Sequence, residues 1–248
     1  MPKHKGPLVS IMMPSYQHVG YIKWAIDSVK AQTHTNWELL ICDDASNDGS
    51  PELLSVLGKT DKRIKVFNNK QNLGIKHVRR MLASVAEGEF LCHLDSDDML
   101  ERWAIEEMLL EFEKYPEVKL IFSDMVQVGR FNAVEIYKAN KDFDSAKLHE
   151  HGWRHFGMYR TDVFNHIYGF NELCRSGCED GDFFMQIAEK FPIRRLPKVL
   201  YKYRSHGNNT SSNKPKCEEC EHNPDCNYIR VWAKSLNYDQ RTLKPIAT

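Results

Sequence analysis

Residues 8–44, LVSIMMPSYQHVGYIKWAIDSVKAQTHTNWELLICDD, decide the fold. LVSIMM (8–13) is a short apolar run with β-branched members, stopped by Pro14, and WELLIC (37–42) is a second. Between them Ile22, Ile26 and Val29 recur at i, i+4 and i+7, the spacing of one helical face. This is a strand–helix–strand unit, and the pattern continues outward. IKVF (64–67), EFLCHL (89–94) and VKLIFSD (118–124) read as further strands. Ile75, Val78, Leu82 and Val85 mark another helix, and Ser50-Pro51 reads as an N-cap with proline at the first helical position. Alternation of this kind predicts an α/β fold with a mostly parallel sheet and right-handed crossovers. Past residue 115 the pattern is less regular: TDVFNHIYGF and DGDFFMQIAEKF read as helices, RRLPKVLYKY as a strand.

The whole chain narrows the class. With 248 residues, 42% hydrophobic and 27% charged, it has the composition of a globular protein. Its 34 basic and 34 acidic side chains cancel, so no net field draws it to nucleic acid or to an anionic membrane. The opening MPKHKGPLVSIMMPSY lacks the apolar core and cleavage site of a secretory leader. No stretch approaches the roughly 18 apolar residues of a membrane span. A cytoplasmic location is expected, at the inner face of a membrane if there is peripheral contact; oligomeric state is not legible. Of the seven cysteines, Cys42 and Cys92 sit in apolar runs and read as small buried hydrophobes.

The polar clusters follow the strands. PSYQH follows the first, DDASNDGS the second and DSDD the fourth. In an open parallel sheet the carboxyl ends of the strands share one edge, where ligands bind, so the clusters converge. Each also has a local explanation. DDASNDGS is rich in turn formers, which accounts for Asn47, Asp48 and Gly49, while Asp44 at a strand end suits an acceptor for a base N–H. Asp98 followed by Glu101 resembles a capping box, but capping leaves Asp95 and Asp97 unexplained. An oxygen-rich cluster suits Mg²⁺ or Mn²⁺ bridging to substrate phosphates. Glu179, Asp180 and Asp182 precede a helical run, as helix caps or as a general base. His206 stands just beyond a strand.

Taken in order, VSIMMPSYQHVGYIKWAIDSVKAQTHTNWELLICDDASNDGS, NLGIKHVRR, AEGEFLCHLDSDD, YRTDVFNHIYGFNE, CEDGDFF and SHGNNTS resemble the inverting family 2 glycosyltransferases of the GT-A fold. The resemblance runs from residue 8 to about 212. It implies a Rossmann-like domain over 1–212, with a nucleotide-binding half to about 115 and an acceptor and catalytic half beyond. It implies transfer from a nucleotide-diphosphate sugar, most often a UDP-sugar, to a hydroxyl-bearing acceptor. By position, Pro14, Ser15 and Tyr16 match the nucleoside-holding segment, Asp44 the residue that reads uracil, and Arg79 an arginine near ribose and phosphates. Asp95, Ser96 and Asp97 match the D-x-D motif, with Asp98 the acid often beside it. Which of Asp97 and Asp98 binds Mn²⁺ or Mg²⁺ directly is left open by the match; His206 matches a metal-associated histidine. Asp180 matches the catalytic base of a Glu-Asp pair completed by Glu179. Gln17, Arg80 and Phe183-Phe184 depart from the usual pattern, where Asn, Asn and a Trp are common; none is an acidic catalytic position. Two other readings compete: a non-catalytic nucleotide-sugar-binding scaffold, and a nucleotidyltransferase, whose Gly-rich basic loop is lacking in PSYQHVGY.

Residues 213–248 form a tail in which Cys217, Cys220, His222 and Cys226 crowd together. Three readings stand open: a structural Zn²⁺ site, favoured by four candidate ligands in ten residues, a disulfide, or a polar loop. The following YIRVWAKSLNY reads as an amphipathic helix packed on the domain.

Overall fold

The computed structural model describes residues 6–129, 134–137, 156–170 and 179–206. The tail, with Cys217, Cys220, His222, Cys226 and the expected helix after them, lies outside the described residues. No helix among the described residues is long and apolar enough to cross a membrane.

The elements are β1 (Val9–Ser15), α1 (Ile22–Lys30), β2 (Trp37–Asp43), α2 (Ser50–Leu57), β3 (Ile64–Asn68), α3 (Ile75–Ser84) and β4 (Phe90–His93). They continue with β5 (Met99–Leu100), α4 (Ala104–Lys114), β6 (Leu120–Val128), β7 (Val134–Tyr137), β8 (Gly157–Arg160), α5 (Glu179–Ala188) and β9 (Ile193–Arg204). One sheet runs β3-β2-β1-β4-β8-β6-β9-β5, with β7 paired to β6. The first four strands in that order are parallel, as expected. Beyond them β8 runs antiparallel to both β4 and β6, and only β6 with β9 returns to parallel pairing.

Helices cover both faces, so the strands read as predominantly apolar runs rather than alternating ones. On β1, Val9, Ile11 and Met13 join the layer under α1, α2 and α4, with Ile26, Leu54 and Met108. Met12 points the other way, into the layer of Val78 and Leu82 from α3 and Phe183, Phe184 and Ile187 from α5. Gly157 is needed at that second layer, because a Cβ there would stand 2.5 Å from the Phe184 ring.

Three local expectations are corrected. Ser50 is the first helical residue of α2; the cap is Gly49 at φ +93°, and Asp48 Oδ1 accepts from the Ser50 N–H at 3.0 Å. The Asp98–Glu101 capping box does not form: Met99–Leu100 pair with β9, and α4 begins only at Ala104. TDVFNHIYGF makes one 3-10 turn, Thr161–Asn165, and stops. The Gln186 side chain holds the chain beyond that turn, accepting from the Tyr168 N–H and donating to the Gly169 carbonyl. On β9 the register slips twice opposite Ser123–Met125, which accommodates Pro197, a residue with no N–H for a ladder.

At the amino ends of the strands Glu38 ties three elements together. Its Oε1 accepts from Ser10 Oγ at 2.5 Å and from the Glu87 N–H at 2.8 Å, and Oε2 lies 2.9 Å from Lys65 Nζ. Burial alone raises its pKa, but these donors outweigh it and hold the carboxyl below its ordinary value. The folded state therefore binds this proton less readily than the unfolded chain. The stabilisation is present at neutral pH and is lost as the pH falls through the lowered pKa. Glu38→Gln is expected to cost about 1–3 kcal/mol at pH 7. The gap to wild type should close on acidification, as thermal unfolding across the pH range will show.

Candidate active site

The site is built where the loops after β1, β2, β3 and β4 meet at the carboxyl edge. The first two are stitched to each other. The Gln17 N–H donates to Ser46 Oγ at 2.9 Å, Gln17 Nε2 to Asn47 Oδ1 at 2.7 Å, and the Val19 N–H to Asp48 Oδ2 at 2.9 Å. Gln17 and Ala45 both carry positive φ, 60° and 62°, a region that costs L-residues about 1–2 kcal/mol. Among non-glycine residues Asn, Asp and His enter that region most readily, so Gln17 is a costly occupant of its turn. Pro14 and Ser15 end β1 in register with Cys42 and Asp43, while Tyr16 projects from the loop, 46% exposed.

Asp44 is buried and heavily engaged. Oδ1 accepts from Asn69 Nδ2 at 2.7 Å and the Leu73 N–H at 2.9 Å, and Oδ2 from the Gly74 N–H at 2.8 Å. Those donors fill three of a carboxylate's roughly four lone-pair directions. Asp44 thus fixes the loop that leads into α3, with Gly74 at φ +85°.

The four residues of D-S-D-D separate into different surroundings. Asp95 Oδ1 accepts from Arg79 Nη2 at 3.1 Å. Ser96 Oγ is 2.7 Å from His18 Nδ1. Asp97 Oδ2 lies 2.9 Å from His206 Nε2 and 3.7 Å from His18 Nε2. Asp98 faces inward: Tyr201 Oη donates to Oδ2 at 2.6 Å and the Arg204 N–H to Oδ1 at 2.7 Å. Burial, then the charges of Asp97 and Asp95, push its pKa well up. Among the described residues, His18, Asp97 and His206 bring one ligand atom each within 4.8 Å of one another, and Asp98 stands outside that group. Tyr21 stacks on the His206 ring at 4.5 Å and fixes its plane. Beside His206 a cavity of about 350 Å³ opens, lined by Tyr21, Trp24, Met99, Lys202 and Arg204 among others.

Arg79 joins the two halves of the site. It is 3% exposed, and Nη1 lies 3.6 Å from Glu179 Oε1 while Nη2 holds Asp95. Burial works against its charge, but Glu179, Asp95 and Asp180 together hold its pKa above the ordinary arginine value. Its Nη1 is also 3.3 Å from His93 Nδ1. Arginine only donates, so that nitrogen accepts and His93 Nε2–H faces Tyr159 Oη at 3.1 Å. Burial and the Arg79 charge lower the His93 pKa well below its usual value, so the imidazole is neutral. Arg79 Nε and Glu179 Oε2 are buried without a hydrogen-bond partner among the described residues.

The base candidates open α5. Glu179 is buried, and its pKa is raised by burial and by Asp180, against the pull of Arg79. Asp180 is half-buried, with Oδ1 accepting from the Gly181 N–H at 2.8 Å. Asp182 is fully buried, takes a bond from Gln186 Nε2 and belongs to the helix packing. The sequence marks neither His18 nor His93 as a site residue. His18 belongs to the polar PSYQH cluster, which was its only signal; His93 lies inside an apolar run and gave none.

A model of Glycosyl transferase family 2 matches residues 10–168. Chondroitin synthase of Pasteurella multocida (strain Pm70) is 31% identical over 243 residues, covering 96% of this chain and 25% of that protein. That span takes in most of the cysteine-bearing tail. Hyaluronan synthase of Pasteurella multocida is 31% identical over 221 residues, 88% of this chain and 22% of that protein. The chain thus spans about a quarter of the length of these relatives. Among solved structures, S. aureus TarS 1–349 in complex with UDP-GlcNAc superposes with a TM-score of 0.73 at 21% identity, over 92% of this chain and 66% of that one. The mannosyltransferase PcManGT from Pyrobaculum calidifontis, in complex with GDP-Man and Mn²⁺, gives 0.64 at 15% identity, over 93% and 63%. At such identities the likeness is one of fold, and the fold is GT-A. With well over half of its length matched by the family model, the chain belongs to glycosyltransferase family 2.

Proposed function

We propose that this domain transfers a sugar from a nucleotide-diphosphate donor, by preference a UDP-sugar, to an acceptor hydroxyl with inversion. The observation that carries the reading is the meeting, at one sheet edge, of the Asp97–His206 pair with the Arg79 network that reaches Asp95 and Glu179. Asp180 is the general base: half-buried, beside Glu179 at the start of α5, it is placed to take the proton of an attacking hydroxyl. Tyr16 offers an exposed ring to the nucleobase, and Asp44 keeps one acceptor direction for a base N–H.

A divalent cation fits the donor set. Asp97 and His206 supply a carboxylate and an imidazole within reach of each other, whereas both oxygens of Asp98 are engaged by Tyr201 and Arg204. Asp97 and His206 are therefore assigned to hold it, and Asp98 to support the segment from below. When bound, such an ion acts as a Lewis acid for the charge that develops on the leaving diphosphate. The GDP-Man and Mn²⁺ complex of PcManGT and the UDP-GlcNAc complex of TarS support a nucleotide-sugar and metal reading. The similarity to chondroitin and hyaluronan synthases favours a growing polysaccharide as acceptor.

The test is a panel of UDP- and GDP-sugars, scored for binding and for nucleoside-diphosphate release with Mn²⁺. Preferential UDP-sugar binding and release abolished by a chelator are expected. Binding without turnover under any metal condition would leave a scaffold, and pyrophosphate release would mean nucleotidyl transfer.

A further inference from the structure

His18 explains itself poorly as a plain loop residue. Its Nε2 is aimed at Asp97 Oδ2 from 3.7 Å, too long for a hydrogen bond. His206 Nε2 approaches the same oxygen at 2.9 Å, and the two imidazoles meet edge to face at 5.9 Å. Three potential donor atoms thus lie within 4.8 Å of one another. Atoms about 2.1 Å from one small cation stand roughly 3–4 Å from each other, and the His18–Asp97 separation falls in that interval. The other ring nitrogen of His18 is occupied by Ser96 Oγ at 2.7 Å. When Nδ1–H donates to that hydroxyl, the Nε2 lone pair is left facing Asp97, which is how an outer partner fixes a ligating tautomer.

We infer that His18 is a third protein ligand to the divalent ion, with Ser96 as its positioning residue, so that the site presents two imidazoles and one carboxylate. The inference rests on the metal-assisted reading above and adds a consequence for ion choice. Mg²⁺ prefers an all-oxygen shell, while imidazole nitrogen favours first-row transition ions in rising order along the series. The donor-free protein then binds Co²⁺ more tightly than Mn²⁺, and Mn²⁺ more tightly than Mg²⁺. D-x-D carboxylates acting alone would discriminate far less between Mn²⁺ and Mg²⁺.

The experiment is titration of the full chain, without nucleotide, by Mn²⁺, Co²⁺ and Mg²⁺, with pulsed EPR of bound Mn²⁺ to count coupled imidazole nitrogens. Wild type should show two imidazoles and His18→Ala one. His18→Ala should weaken Mn²⁺ binding more than tenfold and Ser96→Ala by roughly tenfold, with a smaller Mn²⁺ over Mg²⁺ preference in both. The His18 ring is partly exposed on a loop, and circular dichroism checks that each variant folds. Unchanged Mn²⁺ affinity and one imidazole in both wild type and His18→Ala, with binding still lost in Asp97→Asn, would overturn the role of His18 and leave the metal reading standing. No Mn²⁺ binding by wild type, alone or with UDP, would overturn both.

Discussion

Asp180→Asn is expected to bind a UDP-sugar and Mn²⁺ like wild type while losing roughly 10²–10⁴-fold in transfer rate. The substitution is nearly isosteric, and the amide oxygen still accepts the Gly181 N–H that the carboxylate holds at 2.8 Å. Asp180 is half-buried, so no deep charge is stranded by the change. What disappears is the capacity to take a proton. Donor affinity by calorimetry and transfer rate with saturating acceptor separate the two effects. A variant that turns over normally would remove Asp180 from the chemistry.

Arg79→Met should have the largest effect on stability, about 3–5 kcal/mol, because it removes one partner from a buried ionic cluster and leaves the others. Arg79 is 3% exposed and faces Asp95 at 3.1 Å and Glu179 at 3.6 Å. Without the guanidinium, Glu179 stays buried beside Asp180 and loses the cation that faces it among the described residues. The pKa of Glu179 is already raised, chiefly by burial, so the folded state tolerates it best when protonated. The deficit should therefore be smallest at acidic pH and grow as the pH rises through the shifted pKa. Adding Glu179→Gln should recover part of the loss, since the two sites are coupled. Chemical denaturation of both variants measures this; a change in Arg79→Met within the scatter of surface substitutions would show that the cluster does not hold the halves together.

The parts of the fold that sequence reveals are those set by local periodicity. Residues 8–44 read as a parallel unit because β1 and β2 are covered on both faces and carry apolar side chains pointing both ways, with Ser10 and Glu38 the buried polar exceptions near their amino ends. Local pattern fails to give the structure where a distant partner overrides a local preference. Asp98 and Glu101 look like a helix start, yet Leu100 pairs with Tyr201, which no local window contains. TDVFNHIYGF has helical spacing, yet Gln186 captures its backbone. The acidic cluster of the candidate site was legible because several carboxylates at one strand's end repel one another and call for a common explanation. A single histidine carries no such signal: His18 and His93 acquire roles only from neighbours brought together by the sheet. Arg79 matched a phosphate-side arginine, and its place beneath the site is set by Glu179, a hundred residues later in sequence.

The position of β9 has a consequence for how the protein comes to be active. His206 stands just after β9, which inserts between β6 and β5, and it reaches Asp97 across 109 residues of chain. His18 reaches Ser96 across 78. Contacts this distant in sequence form slowly, because the chain must close long loops before it gains anything from them. During synthesis β1 to β4 are complete well before β9 emerges. The Asp97–His206 pair is thus completed late, and a partly folded chain holds Asp97 without His206.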